Sequence, residues 1–280
     1  MFKSPLRYPG GKQKAIPQIA HFLPLKFREF REPFVGGGSV FFHVLQKYPS
    51  MPCWVNDLNQ ELYCFWHQAK INLPKLVEEV WKVKNETTDG RALFKSLAAA
   101  DTNTMSPLER AVRFFVLNRI TFSGTIESGG YSEASFKGRF TASSIERLAA
   151  LHNCFINTRV TNFDYSVLLK EPGKDVFIFL DPPYLSKTQS KLYGKKGDLH
   201  TCFDHSRFAK LMSECSHKWL ITYDNCEQVR RNFSFAYIYE WELQYGMNNY
   251  KQQKADKGKE LFITNYPVES YNLPTIMEVV

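Results

Sequence analysis

The sequence lacks any apolar run near the ~20 residues that a membrane-spanning helix needs. The first residues, Met1-Phe2-Lys3-Ser4-Pro5-Leu6-Arg7, have no apolar stretch of the signal-peptide kind. A cytoplasmic protein with no membrane partner is therefore expected. Paired cysteines are missing too. Cys53, Cys64, Cys154, Cys202, Cys215 and Cys226 are scattered and never form C-x-x-C, which fits reduced, mostly buried thiols. His200, Cys202, Asp204 and His205 are metal-ligand types, but no second pair stands at zinc-finger spacing. Asp204 has a simpler use as a helix N-cap, so no metal is expected. There is no internal repeat and no low-complexity tract. Acidic residues are the minority: 28 Asp and Glu face 36 Lys and Arg, for a net charge of +8. That balance fits a polyanionic partner.

The chain is organised around Asp175-Val176-Phe177-Ile178-Phe179-Leu180-Asp181-Pro182-Pro183-Tyr184. Five apolar residues bounded by charge predict a strand buried on both faces of a parallel sheet. Such a strand delivers Asp181 to its C-terminal end, where open α/β sheets bind ligands. Two prolines forbid helix beyond it. Asp181 and Tyr184 therefore sit on a stiff corner at the mouth of a cleft. Read alone, the same residues are a strand ending in a turn.

Before this strand, Arg7-Tyr8-Pro9-Gly10-Gly11-Lys12 predicts a tight backbone corner, followed by a helix toward Phe22. Its N–H groups, with Lys12 beside them, suit an anionic or carboxylate ligand. The spacing is not that of a nucleotide P-loop. Phe30 to Ser39 predicts a strand entering the turn Gly36-Gly37-Gly38, and Val40 to Leu45 continues as an apolar helix. No third glycine completes a dinucleotide fingerprint, which excludes a Rossmann dehydrogenase. Cys53 to Asp57 predicts a second strand. Asp57 follows the glycine turn by about twenty residues, the offset of a ribose-binding acid; a helix cap before residues 58–70 is its alternative role.

Residues 59 to 150 are expected to be mainly helical. Asn72 can cap a helix from Leu73. Ser106-Pro107-Leu108-Glu109 is a capping box for a helix to about Ile120, with Leu108, Ala111 and Phe115 on its apolar side. The glycine- and serine-rich segment from Thr121 is expected to be a long loop running through Arg139 and Phe140, until Ser143 caps the next helix. Phe122, Tyr131 and Arg139 are its candidates to stack on bases or touch phosphate. The α/β pattern resumes with a strand from Thr158 toward the acid Asp164. After Tyr184 comes a lysine-rich loop; Lys187 and Lys191 make it a candidate phosphate-facing lid. Strand Trp219–Tyr223 and a terminal β-pair, 235–245 with 260–266, complete the pattern.

Four segments, Tyr8-Pro9-Gly10-Gly11-Lys12, Pro33 to Ser39, Asn56-Asp57 and Asp181-Pro182-Pro183-Tyr184, stand in an order that resembles the Dam-type adenine-N6 DNA methyltransferases. The resemblance runs from Leu6 to Tyr266. It implies an α/β fold: a Rossmann-like S-adenosylmethionine-dependent methyltransferase sheet with a helical target-recognition insert. Residues 1–58 and 151–280 would form the catalytic domain and 59–150 the insert. S-adenosylmethionine is the cofactor it implies, and duplex DNA the partner of a protein expected to be monomeric. Tyr8, Gly10, Gly11 and Lys12 would contact the cofactor from the N-terminus, and Phe34, Gly36 and Gly38 along its methionine. Asp57 would hold the ribose, Asp164 would lie near the adenine, and Asp181 would border the cofactor. Asp181, Pro182, Pro183 and Tyr184 match the catalytic tetrapeptide. Asn118, Arg119, Phe122 and Ser123 match the DNA-reading segment, with two departures. Ser123 replaces the usual Asn, and Glu127 falls in a stretch that is usually basic. GATC is therefore not assumed as the target. Restriction–modification, phage-encoded and bacterial housekeeping roles all remain open. An RNA or protein methyltransferase and a non-catalytic DNA-binding protein are the competing readings. The insert's DNA-reading match opposes the first, and the intact Asp181 and Tyr184 oppose the second.

Overall fold

The computed structural model describes residues 3–126, 129–185, 202–244 and 257–268. The proposed lid with Lys187 and Lys191 lies outside them, as do Glu127 and His200. The helices in chain order begin with α1 (Ile16–Phe22), α2 (Ser39–Lys47), α3 (Gln60–Ile71) and α4 (Leu73–Glu86). They continue with α5 (Gly90–Ala99), α6 (Pro107–Ile120), α7 (Glu133–Arg139) and α8 (Ala142–Ala149). After the helical segment come α9 (Tyr165–Lys170), α10 (His205–Glu214) and α11 (Glu227–Asn232). The strands are β1 (Glu29–Glu32), β2 (Cys53–Asn56), β3 (Thr158–Thr161), β4 (Val176–Leu180), β5 (Lys218–Asp224), β6 (Tyr237–Gln244) and β7 (Lys257–Thr264).

The strands form one sheet in the order β3-β2-β1-β4-β5-β7-β6. β1 to β5 are parallel, and β7 inserts antiparallel between β5 and β6. The mixed α/β architecture expected from the strand and helix pattern is observed. β4 is buried at every position, as its apolar run requires. Phe30 of β1 pairs with Cys53 on one side and Phe177 on the other. The chain leaves β1 toward β2 and β3, then restarts at β4 and runs the other way. The crevice at that reversal is where an open sheet accepts a ligand.

The helical segment shares the sheet's core. In α3, Trp66 packs on Phe42 and Phe155, with ring centroids 5.7 and 6.0 Å away. Its neighbour Phe65 stacks on Phe114 and Phe115 of α6 at 5.6 and 6.0 Å. One helix thus serves two layers.

α6 departs from its predicted amphipathic form. Ser106 and Glu109 make the expected capping box, but every residue from Ala111 to Ile120 is buried. A helix surrounded on all sides has no solvent face, so Arg113, Asn118 and Arg119 are interior. Other local differences have local causes. Residues 133–139 form α7 rather than loop, because the Ser132 hydroxyl accepts the Ser135 N–H and starts a helix that Gly138 does not break. The cap of α8 is Thr141, two residues before the expected Ser143, with Ser144 as its capping-box partner. Asn72 stands at the N-cap of α4 without a side-chain cap bond. Asn59, not Asp57, caps α3, accepting from Glu61 and Leu62.

Candidate active site

A cavity of about 590 Å³ opens at the C-terminal ends of β1, β2, β3 and β4, where the strand order reverses. The turns after these strands supply Phe34, Asp57, Asp164 and Asp181, and the N-terminal corner supplies Tyr8 and Lys12. Five segments distant in sequence converge on one crevice because parallel strands end on the same edge.

Asp181 receives two donors. Lys12 Nζ lies 2.9 Å from Oδ1, and the Thr222 hydroxyl donates to the same oxygen at 2.7 Å. No donor among the described residues reaches Oδ2. Lys12 Nζ also donates to the Tyr184 hydroxyl at 3.0 Å, and that hydroxyl donates to Glu260 Oε2 at 2.8 Å. Burial, with Asp181 and Glu260 nearby, raises the Tyr184 phenol well above its ordinary range, so it stays protonated. Next to the tetrapeptide, the Leu185 N–H donates to Asp224 at 3.1 Å. The corner is therefore held from β5 and β7 as well as by its two prolines. Thr222, Asp224 and Glu260 escaped sequence reasoning. Each lies in a strand with no local motif, and only the β5–β7 pairing, which sets Asp224 opposite Glu260, brings them here.

The other half of the cavity is built on the glycine turn. The φ of Gly36 is +46°, and a Cβ there would stand 2.8 Å from the Tyr8 ring. Glycine permits both the conformation and the close approach. The turn is held from three sides: Gly36 N–H donates to Asp57 Oδ2 at 3.0 Å, Trp66 Nε1 donates to Gly36 O at 3.0 Å, and Tyr8 packs over it. Burial raises the Asp57 carboxyl to about 6, against the opposing pull of the Asn59 and Gly36 N–H groups. Gly10 and Gly11 form the predicted corner, with Gly11 N–H donating to Tyr8 O at 3.0 Å. Phe34 joins an aromatic cluster with Tyr165 and Phe203, centroids 5.4 and 5.9 Å away.

Glu32 was not foreseen. It ends β1 inside the cavity, 3% exposed, and its Oε2 has no hydrogen-bond partner. Burial raises its carboxyl well above normal; the Phe41 N–H opposes this, while Asp181 and Asp57 add to it. The sequence signal was an acid immediately before Pro33, hidden because β1 is only four residues long. Asp164 lines the cavity but is already engaged. It caps α9 through Ser166 N–H and forms an ion pair with Arg207 at 2.9 Å. Burial pushes its carboxyl up, but the bonds from Arg207 and Ser166 outweigh that and hold it at about 2.

The residues expected to meet DNA divide into two groups. Phe122 is 70% exposed, Arg139 is exposed, and Ser123 is partly exposed on a short 3-10 turn, Phe122–Gly124. Tyr131 is half-buried, its hydroxyl bonded to Glu133 and its ring under Arg91. Asn118 and Arg119, expected in the same DNA-reading segment, are interior, 0% and 3% exposed. Asn118 spends its amide on the backbone of Arg7 and Gly124. Arg119 stacks on Phe115, while its Nε and Nη2 have no partner. Burial first, then Arg147, Arg7 and Arg139, lowers its guanidinium to about 9.

No three His, Cys, Asp or Glu side chains converge as a metal site among the described residues. No helix there is long and apolar enough to cross a membrane.

Comparison with known proteins bears on the same span. Residues 8–247 match the family model for the D12 class N6 adenine-specific DNA methyltransferase. The chain is 25% identical over 213 residues to the type II methyltransferase M1.LlaDCHI of Lactococcus lactis subsp. cremoris, covering 72% of this chain and 70% of that protein. It is 27% identical over 224 residues to the type II methyltransferase M.MjaIII of Methanocaldococcus jannaschii, covering 73% and 77%. The DNA adenine methylase of Salmonella typhi is 25% identical over 187 residues, covering 64% of each chain. The matched span contains the N-terminal corner, the glycine turn, the helical segment and the Asp181 corner. The chain belongs to the D12 class of N6 adenine-specific DNA methyltransferases, enzymes that methylate adenine in DNA.

Proposed function

We propose that the methyl donor is S-adenosylmethionine and that the target adenine is flipped out of duplex DNA onto the Asp181–Tyr184 corner. The observation that carries this reading is Asp181 standing at the end of β4 in a cavity that Glu32 and Asp57 also line. The cavity suits this cofactor chemically. Glu32 offers a buried, unpartnered carboxyl oxygen to the ammonium of the methionine part. Asp57, anchored by the Gly36 N–H, accepts from the ribose hydroxyls. Leu58 and the 41% exposed Phe163 offer apolar surface to the adenine. When bound, S-adenosylmethionine supplies an electrophilic methyl group on a sulfonium and leaves as a neutral thioether.

The chain's residues supply alignment and charge. The amino group of adenine is a poor nucleophile because its lone pair is delocalised into the ring. Asp181 accepts one N–H hydrogen and the Pro182 carbonyl the other, which localises that lone pair. Lys12 and Thr222 hold the Asp181 carboxylate in place before the base arrives. The Tyr184 ring stacks on the flipped base, its hydroxyl fixed by Lys12 and Glu260. After transfer the amino nitrogen sheds a proton, for which Asp181 is the adjacent acceptor. Positioning in a dry site accounts for most of the acceleration such a transfer needs.

The helical segment, 59–150, is the target-recognition insert in this reading, with α3 as the wall it shares with the catalytic layer. Phe122, Ser123, Tyr131 and Arg139 face the DNA. Arg119 lies beneath them, a buried charge behind the basic surface formed by Arg7, Arg139 and Arg147. Single-molecule sequencing of DNA from cells expressing the chain, beside an Asp181→Ala control, tests the proposal. N6-methyladenine at one short motif is expected only with the intact chain. Methylation that persists in the control would remove Asp181 from the reaction.

A further inference from the structure

We infer that Asn118 is a positioning residue that couples the cofactor pocket to the DNA-reading turn, so that each ligand tightens the other. The inference rests on the reading of the two sites given above. Arg7 N–H donates to Asn118 Oδ1 at 2.9 Å, and Asn118 Nδ2 donates back to Arg7 O at 2.7 Å. One side-chain amide thus closes a reciprocal pair with the backbone of a residue 111 positions away. The same Nδ2 donates to Gly124 O at 3.1 Å, at the end of the Phe122–Gly124 turn. The Arg7 guanidinium adds bonds to Thr121 O at 3.4 Å and the Ser135 hydroxyl at 3.3 Å. A Cβ on Gly124, whose φ is +76°, would run into Arg7 O, so the two backbones are in direct contact.

On its other side Arg7 leads straight into Tyr8, whose ring covers Gly36 and whose Cβ faces Gly37. The contact path is therefore short: glycine turn, Tyr8, Arg7, Asn118, Gly124, Phe122. Coupling requires an element with two states as well as a path. The turn is the strained element on that path: Ser123 is held at φ 55°, ψ 8°, in the left-handed region that residues other than glycine rarely adopt. Asn118 grips the residue that follows it. When the Tyr8 corner is ordered by cofactor, Asn118 holds the turn in the strained form that projects Phe122. When the corner is loose, the turn can relax. The Asn118 amide has no solvent exposure and all its bonds are to backbone, which fits a pin rather than a base contact.

The test is a linkage measurement on the full chain. The affinity for a fluorescent duplex carrying the sequenced motif is measured with and without saturating S-adenosylhomocysteine. The affinity for S-adenosylhomocysteine is then measured with and without the duplex. Linkage requires the two ratios to be equal. In the wild type a ratio of at least about five-fold is expected, the lower end of ordinary coupling. Asn118→Ala, checked for native circular dichroism and a cooperative melt, should bring both ratios to within about two-fold of one while still binding each ligand alone. If that variant does not fold, Asn118→Asp replaces it. That change keeps the acceptor for Arg7 N–H, removes the donor to Arg7 O and Gly124 O, and should reduce both ratios. An undiminished ratio in whichever variant folds overturns the inference, as does a wild type that binds both ligands with no coupling. A wild type that binds no S-adenosylhomocysteine overturns the reading of the cofactor site itself, and the inference with it.

Discussion

At the scale of the residue, Asp57 shows how burial sets a working range. Its carboxyl is raised to about 6 because burial outweighs the two backbone donors that hold it. Above that value it is a carboxylate able to accept from hydroxyls; below it the group is protonated and that capacity falls. Affinity for S-adenosylhomocysteine should therefore drop as pH falls through 6. Calorimetry across this range checks it, with Asp57→Asn as the variant that should lose the step near pH 6. A wild-type affinity unchanged from about pH 5 to pH 8 would take Asp57 out of the site. Glu260 and Tyr184 make a second residue-scale case. The carboxylate matters through the hydroxyl it holds at 2.8 Å. Glu260→Ala and Tyr184→Phe should each lower kcat, and the double variant should fall short of their sum by about 1 kcal/mol. Additive losses would mean that the two act separately.

At the scale of the element, α3 packs between the sheet's core and α6. Phe65 is fully buried against α6, while Trp66 reaches the glycine turn through its indole N–H. Phe65→Ala should cost about 3–5 kcal/mol, the usual price of emptying a buried aromatic site. Because the core is shared, urea unfolding followed by circular dichroism and by tryptophan fluorescence should remain one transition. Separate transitions would show that the helical segment 59–150 folds by itself. α6 itself marks a limit of pattern reading. Its capping box and length were legible from Ser106 to Glu109. Its burial on all sides was not, because the partners that cover its polar face, Arg7, Leu97 and Glu61, come from elsewhere in the chain.

At the scale of the whole molecule, the net charge of +8 becomes informative once its placement is known. Arg7, Arg139 and Arg147 are near enough to the buried Arg119 to lower its guanidinium pKa, and Phe122 close by in the chain is exposed. DNA affinity should fall steeply with salt, and Arg139→Ala should lower the slope of log K against log salt by about one. An unchanged slope would place the phosphate contacts elsewhere.

The sequence by itself determined the α/β class, the order of the four segments that meet at the cavity and the stiff turn that ends β4 at Asp181. Each of these is written in a run of adjacent residues, and local sterics and hydrogen bonding act over such runs. The tertiary structure alone decided that Glu32, Thr222 and Glu260 join the site and that Asp164 is paired with Arg207. It also decided that Asn118 and Arg119 lie inside the protein. These facts depend on which strand edges and helix faces meet across more than a hundred residues, and no local pattern records that.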